Sequence, residues 1–357
     1  MIFLLILLLP SQLAYHFWPS WSLVQGIRVD YLSPTLYLTD LIILGLFLTS
    51  RLRVRIPLPL IIFVVLNILI SYSPLVSLYK WLRVLEYFWL FKYLVNFYEL
   101  KTMNYALTLS ILWTSTLAWW QFFLQHSAGG LWYWLGERTF SITTPGIAKV
   151  FISQLGLVMR PYATMPHPNA LAGWLLVAGL IVGGWPRIVS LITIPLTFSR
   201  SVILLLPALL WRKSKLLTLF LFVISFVLFA KLGNPASFSE RAVLNQKAIQ
   251  TIKLFPIFGA GLGNFIYQVP TIRQPVHNIY LLLAAELGVP ATAMVVLLIV
   301  GKLKNLLRLE NWNLRIAILS ILLTGLADHY WLTLHQNSLL LVILLAYVHS
   351  YQYRRRS

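Results

Sequence analysis

Arg200 stands between Ser199 and Ser201 inside an otherwise apolar run. An arginine held at membrane depth costs about 2.5–3.5 kcal/mol on insertion scales, so it should face a polar cavity or a partner. Phosphate suits it, because the planar guanidinium fork meets two phosphate oxygens at once. Arg241 offers the same chemistry from the polar face of an amphipathic stretch. There Leu244, Ala248, Ile249, Ile252 and Phe255 recur on one helical face, Ser237 and Glu240 stand at capping-box spacing ahead of them, and Pro256 stops the helix. His277 follows in Pro275-Val276-His277-Asn278, in or just before the first turn of a long apolar helix. The helix macrodipole there disfavours imidazolium while free N–H groups favour an anion, so the ring is placed to accept a proton beside a phosphate. The plainer roles are snorkelling for Arg200, headgroup contact for Arg241 and structural hydrogen bonding for His277.

Other polar residues interrupt the apolar pattern. Arg160 opens a stretch running through Pro168-Asn169 into another helix, with Asn169 as the expected N-cap. Lys80, Arg83 and Glu86 lie three apart near one helical face, read first as an Arg83–Glu86 ion pair and second as the lining of a lipid-phosphate groove. Gly259-Ala260-Gly261-Leu262-Gly263 follows no strand and lacks Lys-Ser/Thr, so it reads as a tight turn and not a nucleotide fingerprint. Asp328, His329 and His335 have neither His-x3-His nor paired-carboxylate spacing, so no metal is expected. The chain has no cysteine. Disulfides, thiolate nucleophiles and iron–sulfur clusters are thereby excluded. No cofactor is expected.

The elements that must position these residues follow from composition. Of 357 residues, 59% are hydrophobic and 10% are charged, whereas charged residues make up about a quarter of a soluble domain. The expected fold is an all-α polytopic membrane protein, a single domain over residues 1–357 with about 12 transmembrane helices and a partly helical outer loop. Basic residues at 51–55, Lys92 with Lys101, Arg187, and the clusters at 212–215, 302–315 and 354–356 alternate with the spans and put both termini in the cytoplasm. Residues 125–167 and 233–277 then face outward across the plasma membrane, so the active site falls on the periplasmic or outer side. The net charge of +19 leaves positive charge outside, suited to an anionic ligand. No nucleic-acid partner is expected. The strongest candidates sit at the outer ends of spans, which favours an enzyme over a transporter or lipid-linked glycan flippase, whose ionisable residues gather near the midplane.

Taken in order, these stretches resemble the O-antigen ligase family, whose module is shared by O-antigen polymerases and protein O-oligosaccharyltransferases. The matching segments are Arg160 through Trp174, Thr197 through Ser201, Ser239-Glu240-Arg241, Pro256 through Phe265, His277 through Gly288, and Asp328-His329-Tyr330-Trp331. The resemblance implies a metal-independent glycosyltransferase that moves a glycan from undecaprenyl pyrophosphate to an acceptor hydroxyl at the outer face of the plasma membrane. It implies Arg200, Arg241 and His277 as the catalytic residues. Arg160, Asn169, Asn278, Arg83 and Lys80 are the expected substrate contacts. The expected partners are a polyprenyl-pyrophosphate-linked glycan donor, a lipid A-core, polysaccharide or protein acceptor, and the lipid bilayer.

Overall fold

The computed structural model of the protein describes residues 1–97, 100–210, 214–231, 235–307 and 311–353. Its helices are α1 (Ile2–Leu7), α2 (Leu38–Thr49), α3 (Leu58–Leu69), α4 (Pro74–Phe97), α5 (Leu100–Leu124), α6 (Pro168–Val182), α7 (Gly184–Thr193) and α8 (Arg200–Ile203). They continue as α9 (Lys215–Lys231), α10 (Pro235–Leu254), α11 (Ile279–Leu287), α12 (Val289–Leu307), α13 (Trp312–Thr324), α14 (Tyr330–Thr333) and α15 (His335–Tyr353). Three two-stranded antiparallel ribbons join them: β1 (Ala14–His16) with β4 (Thr35–Tyr37), β2 (Leu23–Val24) with β3 (Ile27–Arg28), and β5 (Lys149–Ile152) with β6 (Gly156–Met159). The chain is therefore mainly helical with small ribbons, not all-α.

Among the described residues no helix is long and apolar enough to cross a membrane. This overturns the expected 12 transmembrane spans and, with them, the multi-pass plasma-membrane placement, the cytoplasmic termini and the outward-facing site. The physical reason lies in how the apolar runs are cut. The run expected over 278–300 breaks at Gly288 into α11 and α12, and the run over 314–332 breaks between Thr324 and Tyr330. Helices α2 and α3 have 12 residues and α6 has 15, against about 20 needed to span. The longer α4 carries Lys80, Arg83, Glu86 and Lys92, and α5 is diluted by Thr, Ser, Asn and Trp. Arg212, Lys213 and Arg354–Arg356, part of the charge argument, lie outside the described residues.

Helix α6 occupies the centre. From Ala170 to Ile181 every one of its side chains is buried, and α5, α7, α13 and α15 pack around it. Close approach requires a small residue: a Cβ on Gly173 would fall 2.4 Å from the Tyr330 hydroxyl. The 233–277 segment contributes the expected helix as α10, which begins at Pro235, ahead of the Ser237–Glu240 pair. Leu244 and Ala248 are fully buried and pack with Phe265, Val269, Val276, Leu282 and Ala285 of the following turn and α11. Ile249 and Phe255, expected on the same face, are exposed. The glycine run is a packing turn: Gly259, Gly261 and Gly263 all have positive φ, and they touch the α11 backbone, Ser71 and Lys80 respectively. In the 125–167 segment, buried Glu137 accepts hydrogen bonds from Gln121 Nε2, Ala128 N and Gly129 N, each 2.7 Å long.

Candidate functional site

Interruptions of the helices place the polar cluster. After α7 a 3-10 turn (Ile194–Thr197) runs into Phe198, whose φ of +49° is a left-handed conformation rare for a non-glycine residue. Arg160 Nε donates to Thr197 O at 2.6 Å and holds this bend. The turn delivers Ser199 as the N-cap and Arg200 as the first residue of α8. The Arg200 guanidinium lies 5.4 Å from the Phe238 ring of α10, which brings it to the helix that carries Arg241. Arg241 Nη1 donates to Ala327 O at 2.8 Å, inside the break between α13 and α14.

That break also presents Asp328 and His329. Asp328 Oδ1 accepts from His277 Nδ1 at 3.3 Å and from the His329 amide at 2.9 Å, and Oδ2 accepts from Asn169 Nδ2 at 3.0 Å. Burial alone would raise this carboxyl, but the His277 hydrogen bond and the neighbouring imidazoles hold it well below the usual carboxylate range. With Nδ1 donating to the carboxylate, the neutral ring carries its lone pair on Nε2, which lies 3.4 Å from the Gln274 side-chain amide and meets it as an acceptor only when the amide NH2 group is turned toward the ring. The His329 ring lies beside it, with centroids 4.9 Å apart. Burial, with the charges of His277 and Arg241, takes His329 down to about 4 although Asp328 opposes the shift.

Asp328 acts on Arg160, Arg241 acts on His329, and Arg200 lies between the two arginines. Burial and the like charge of Arg200 bring Arg160 down to about 10, against the pull of Tyr162 and Asp328. Arg200 is lowered in turn by burial and by Arg241. Arg160 Nη2 donates to Asn169 Oδ1 at 2.6 Å, so Asn169 ties Arg160 to Asp328.

Of the residues singled out in the sequence, Arg160, Asn169, Arg200, Arg241 and His277 come together. Asn169 is not the N-cap of α6; His167 is, its side chain accepting from Asn169 N. Asn278 caps α11 through Tyr280 N and Leu281 N, a structural duty. Lys80 and Arg83 lie in a separate cluster, where the Arg83–Glu86 ion pair read from their spacing is present. Arg83 pairs with Asp40 at 2.6 Å and Glu86 at 2.7 Å and also donates to Thr35 O. His335 Nε2 lies 3.2 Å from Asp40, and Nδ1 lies 2.8 Å from Tyr87 OH. Lys80 Nζ sits 4.0 Å above the Tyr31 ring. Tyr31 OH donates to both Glu286 oxygens at 3.2 Å. Burial takes Lys80 down to about 8 against the attraction of Glu286, and raises Glu286 to about 7.

Asp328 as the residue that orients His277 was missed, although the Asp328-His329 pair was the available signal. His277, Asp328 and His329 have ligand atoms within 4.8 Å of one another, a donor set suited to a divalent ion. The surrounding arginines oppose a cation there and favour an anion. A cleft of about 520 Å³ between Trp21, Tyr72 and Tyr267 is lined by none of these residues. No family model, curated protein or solved structure matches this chain, so its own residues carry the functional argument.

Proposed function

We propose that the protein is a glycosyltransferase that moves a glycan from a polyprenyl-pyrophosphate carrier to an acceptor hydroxyl. The observation that carries this reading is the mutual proximity of Arg160, Arg200 and Arg241 next to Asp328, the carboxylate that orients the His277 imidazole. Three like charges close together call for an anion, and pyrophosphate supplies one as a leaving group. The acceptor oxygen attacks the anomeric carbon, and its proton passes to His277 Nε2. The bond from that carbon to the pyrophosphate oxygen breaks with its electron pair, and the developing charge is met by the arginines. Both Asp328 oxygens are engaged by hydrogen bonds, so that carboxylate orients and does not attack. A single displacement then inverts the anomeric centre. The arginines do the neutralising that magnesium performs in many phosphate-handling enzymes, so no divalent ion is required.

Ligase, polymerase and protein oligosaccharyltransferase activities share this donor chemistry and differ in acceptor. The test is to incubate purified protein with a polyprenyl-pyrophosphate glycan and saccharide, lipid-saccharide or peptide acceptors in excess EDTA. Glycosylated acceptor and free polyprenyl pyrophosphate should form in equal amounts. Failure with every acceptor would end the transferase reading, while activity lost in EDTA and restored by magnesium would end the metal-free part of it.

A further inference from the structure

A cleft of about 250 Å³ opens between the 138–147 turn and residues 162–167, lined among others by Arg138, Phe140, Thr144, Tyr162 and His167. Its walls are chemically one-sided. Phe140 and Tyr162 are both buried, with ring centroids 5.2 Å apart, and form an apolar side. Arg138 stands at the rim, its guanidinium carbon 5.2 Å from the Tyr162 ring centre and Nη2 donating to Pro166 O at 3.1 Å. His167 accepts from Asn169 N through Nδ1, so its proton sits on Nε2 and that nitrogen is a donor. Among the described residues, no aspartate or glutamate lines the cleft. The turn is fixed in place by Glu137, the residue before Arg138, through its bonds to Gln121, Ala128 and Gly129.

An apolar face opposite a cation and an N–H donor, with no acid present, complements a pyranose ring that shows C–H groups on one side and carries an anionic substituent at its edge. The cleft also reaches the reaction centre by a short chain of hydrogen bonds, from His167 to Asn169, from Asn169 to Asp328 and from Asp328 to His277. We propose that this cleft is the acceptor subsite and that it takes a sugar unit bearing a carboxylate, with Arg138 and His167 on the carboxylate and Phe140 and Tyr162 against the ring. Its role as acceptor site rests on the transferase reading; its binding of an acidic sugar does not.

The experiment measures binding of methyl glucuronide and of uncharged methyl glucoside to the purified full-length protein by calorimetry, with inorganic phosphate as competitor. The glucuronide should bind about tenfold more tightly than the glucoside. Arg138→Gln should erase that preference, Arg241→Lys should keep it, and phosphate should fail to displace the glucuronide at equal concentration. Equal affinity for the two glycosides, a preference that survives Arg138→Gln, or ready displacement by phosphate would each overturn the proposal, the last by revealing a bare anion site. In the transfer assay, Arg138→Gln should raise KM about tenfold for a uronate-ended acceptor and leave the donor KM unchanged. Glucuronide binding as described without transfer to any acceptor would sink the transferase reading alone. Transfer to acceptors without glucuronide binding would sink the subsite alone.

Discussion

Arg83 is met by the carboxylates of Asp40 and Glu86, and Glu286 stands against Lys80. Near His277, by contrast, Arg200 lowers Arg160 and Arg241 lowers Arg200, and the carboxylate that acts on Arg160 is Asp328, the partner of His277. Both clusters use the same residue types among packed helices, and they differ in charge balance. In the first, acids answer bases, and the bonds tie α4 to α2, α15 and the β4 backbone. In the second, positive charge is in excess among the described residues, and hydrogen bonds fix side chains on α6, α10 and the loops around them. A balanced cluster needs nothing more and serves the fold; an unbalanced one is complete only with an anion. The same residue type can therefore be assigned to stability or to binding by what surrounds it.

Removing Arg83 should produce the largest effect. Arg83→Ala leaves Asp40 and Glu86 buried without their cation, and breaking a buried pair in this way costs about 3–5 kcal/mol. The denaturation midpoint of the purified variant reports the loss, and activity per folded molecule should be unchanged. A variant with normal stability and lost donor binding would move Arg83 into the site and dissolve the contrast between the clusters.

The arginines of the unbalanced cluster should behave in the opposite way. Arg200→Lys and Arg241→Lys keep the charge but lose the planar fork, so turnover should fall about 10²- to 10³-fold, the range for removing one positioned donor to a developing anion. The denaturation midpoint should stay nearly fixed. Near-normal turnover in both variants would mean that charge alone suffices and that bidentate geometry has no part.

Asp328 sharpens the contrast from within the cluster. Asp328→Asn keeps the shape but favours the other His277 tautomer, and turnover should drop about 10- to 100-fold, as for residues that orient a catalytic or metal-bound histidine. The donor KM should hold, because the arginines are intact. A raised donor KM with unchanged turnover would make Asp328 a binding residue.

Much of this cluster could be read in the sequence, because Arg200 breaks an apolar run, Arg241 lies on an amphipathic helix and His277 opens a helix. The bond from His277 to Asp328 could not, since 51 residues separate them. Arg83 was half legible: its i,i+3 partner Glu86 lies on the same helix, while Asp40 is 43 residues away on another. Hydropathy located the helical segments but said nothing of the breaks at Gly288 and between Thr324 and Tyr330. Those breaks shorten the expected spans, and the second presents Asp328 and His329 to the site.

The smallest effect concerns pH and tests the balanced side of the comparison. Burial raises Glu286 to about 7 and, helped by the Asp40 charge, Glu86 to about 7. The folded state therefore binds these protons more tightly than the unfolded chain does. Their contribution to stability is full below the unfolded carboxyl range near 4.5 and is lost as pH rises through about 7. Between pH 6 and pH 8 the loss is about 1 kcal/mol for each group. Histidines lowered by burial, such as His329 and His335, titrate in the opposite sense over part of this window, so the slope for the whole protein mixes both signs. Comparing wild type with Glu286→Gln cancels the histidines, because they are common to both chains. The difference in denaturation free energy between the two should shift by about 1 kcal/mol from pH 6 to pH 8, with wild type losing ground as pH rises. A constant difference would mean that Glu286 stays ionised across the window, held by Lys80 as one of two opposite charges, and that the pair is an ordinary salt link.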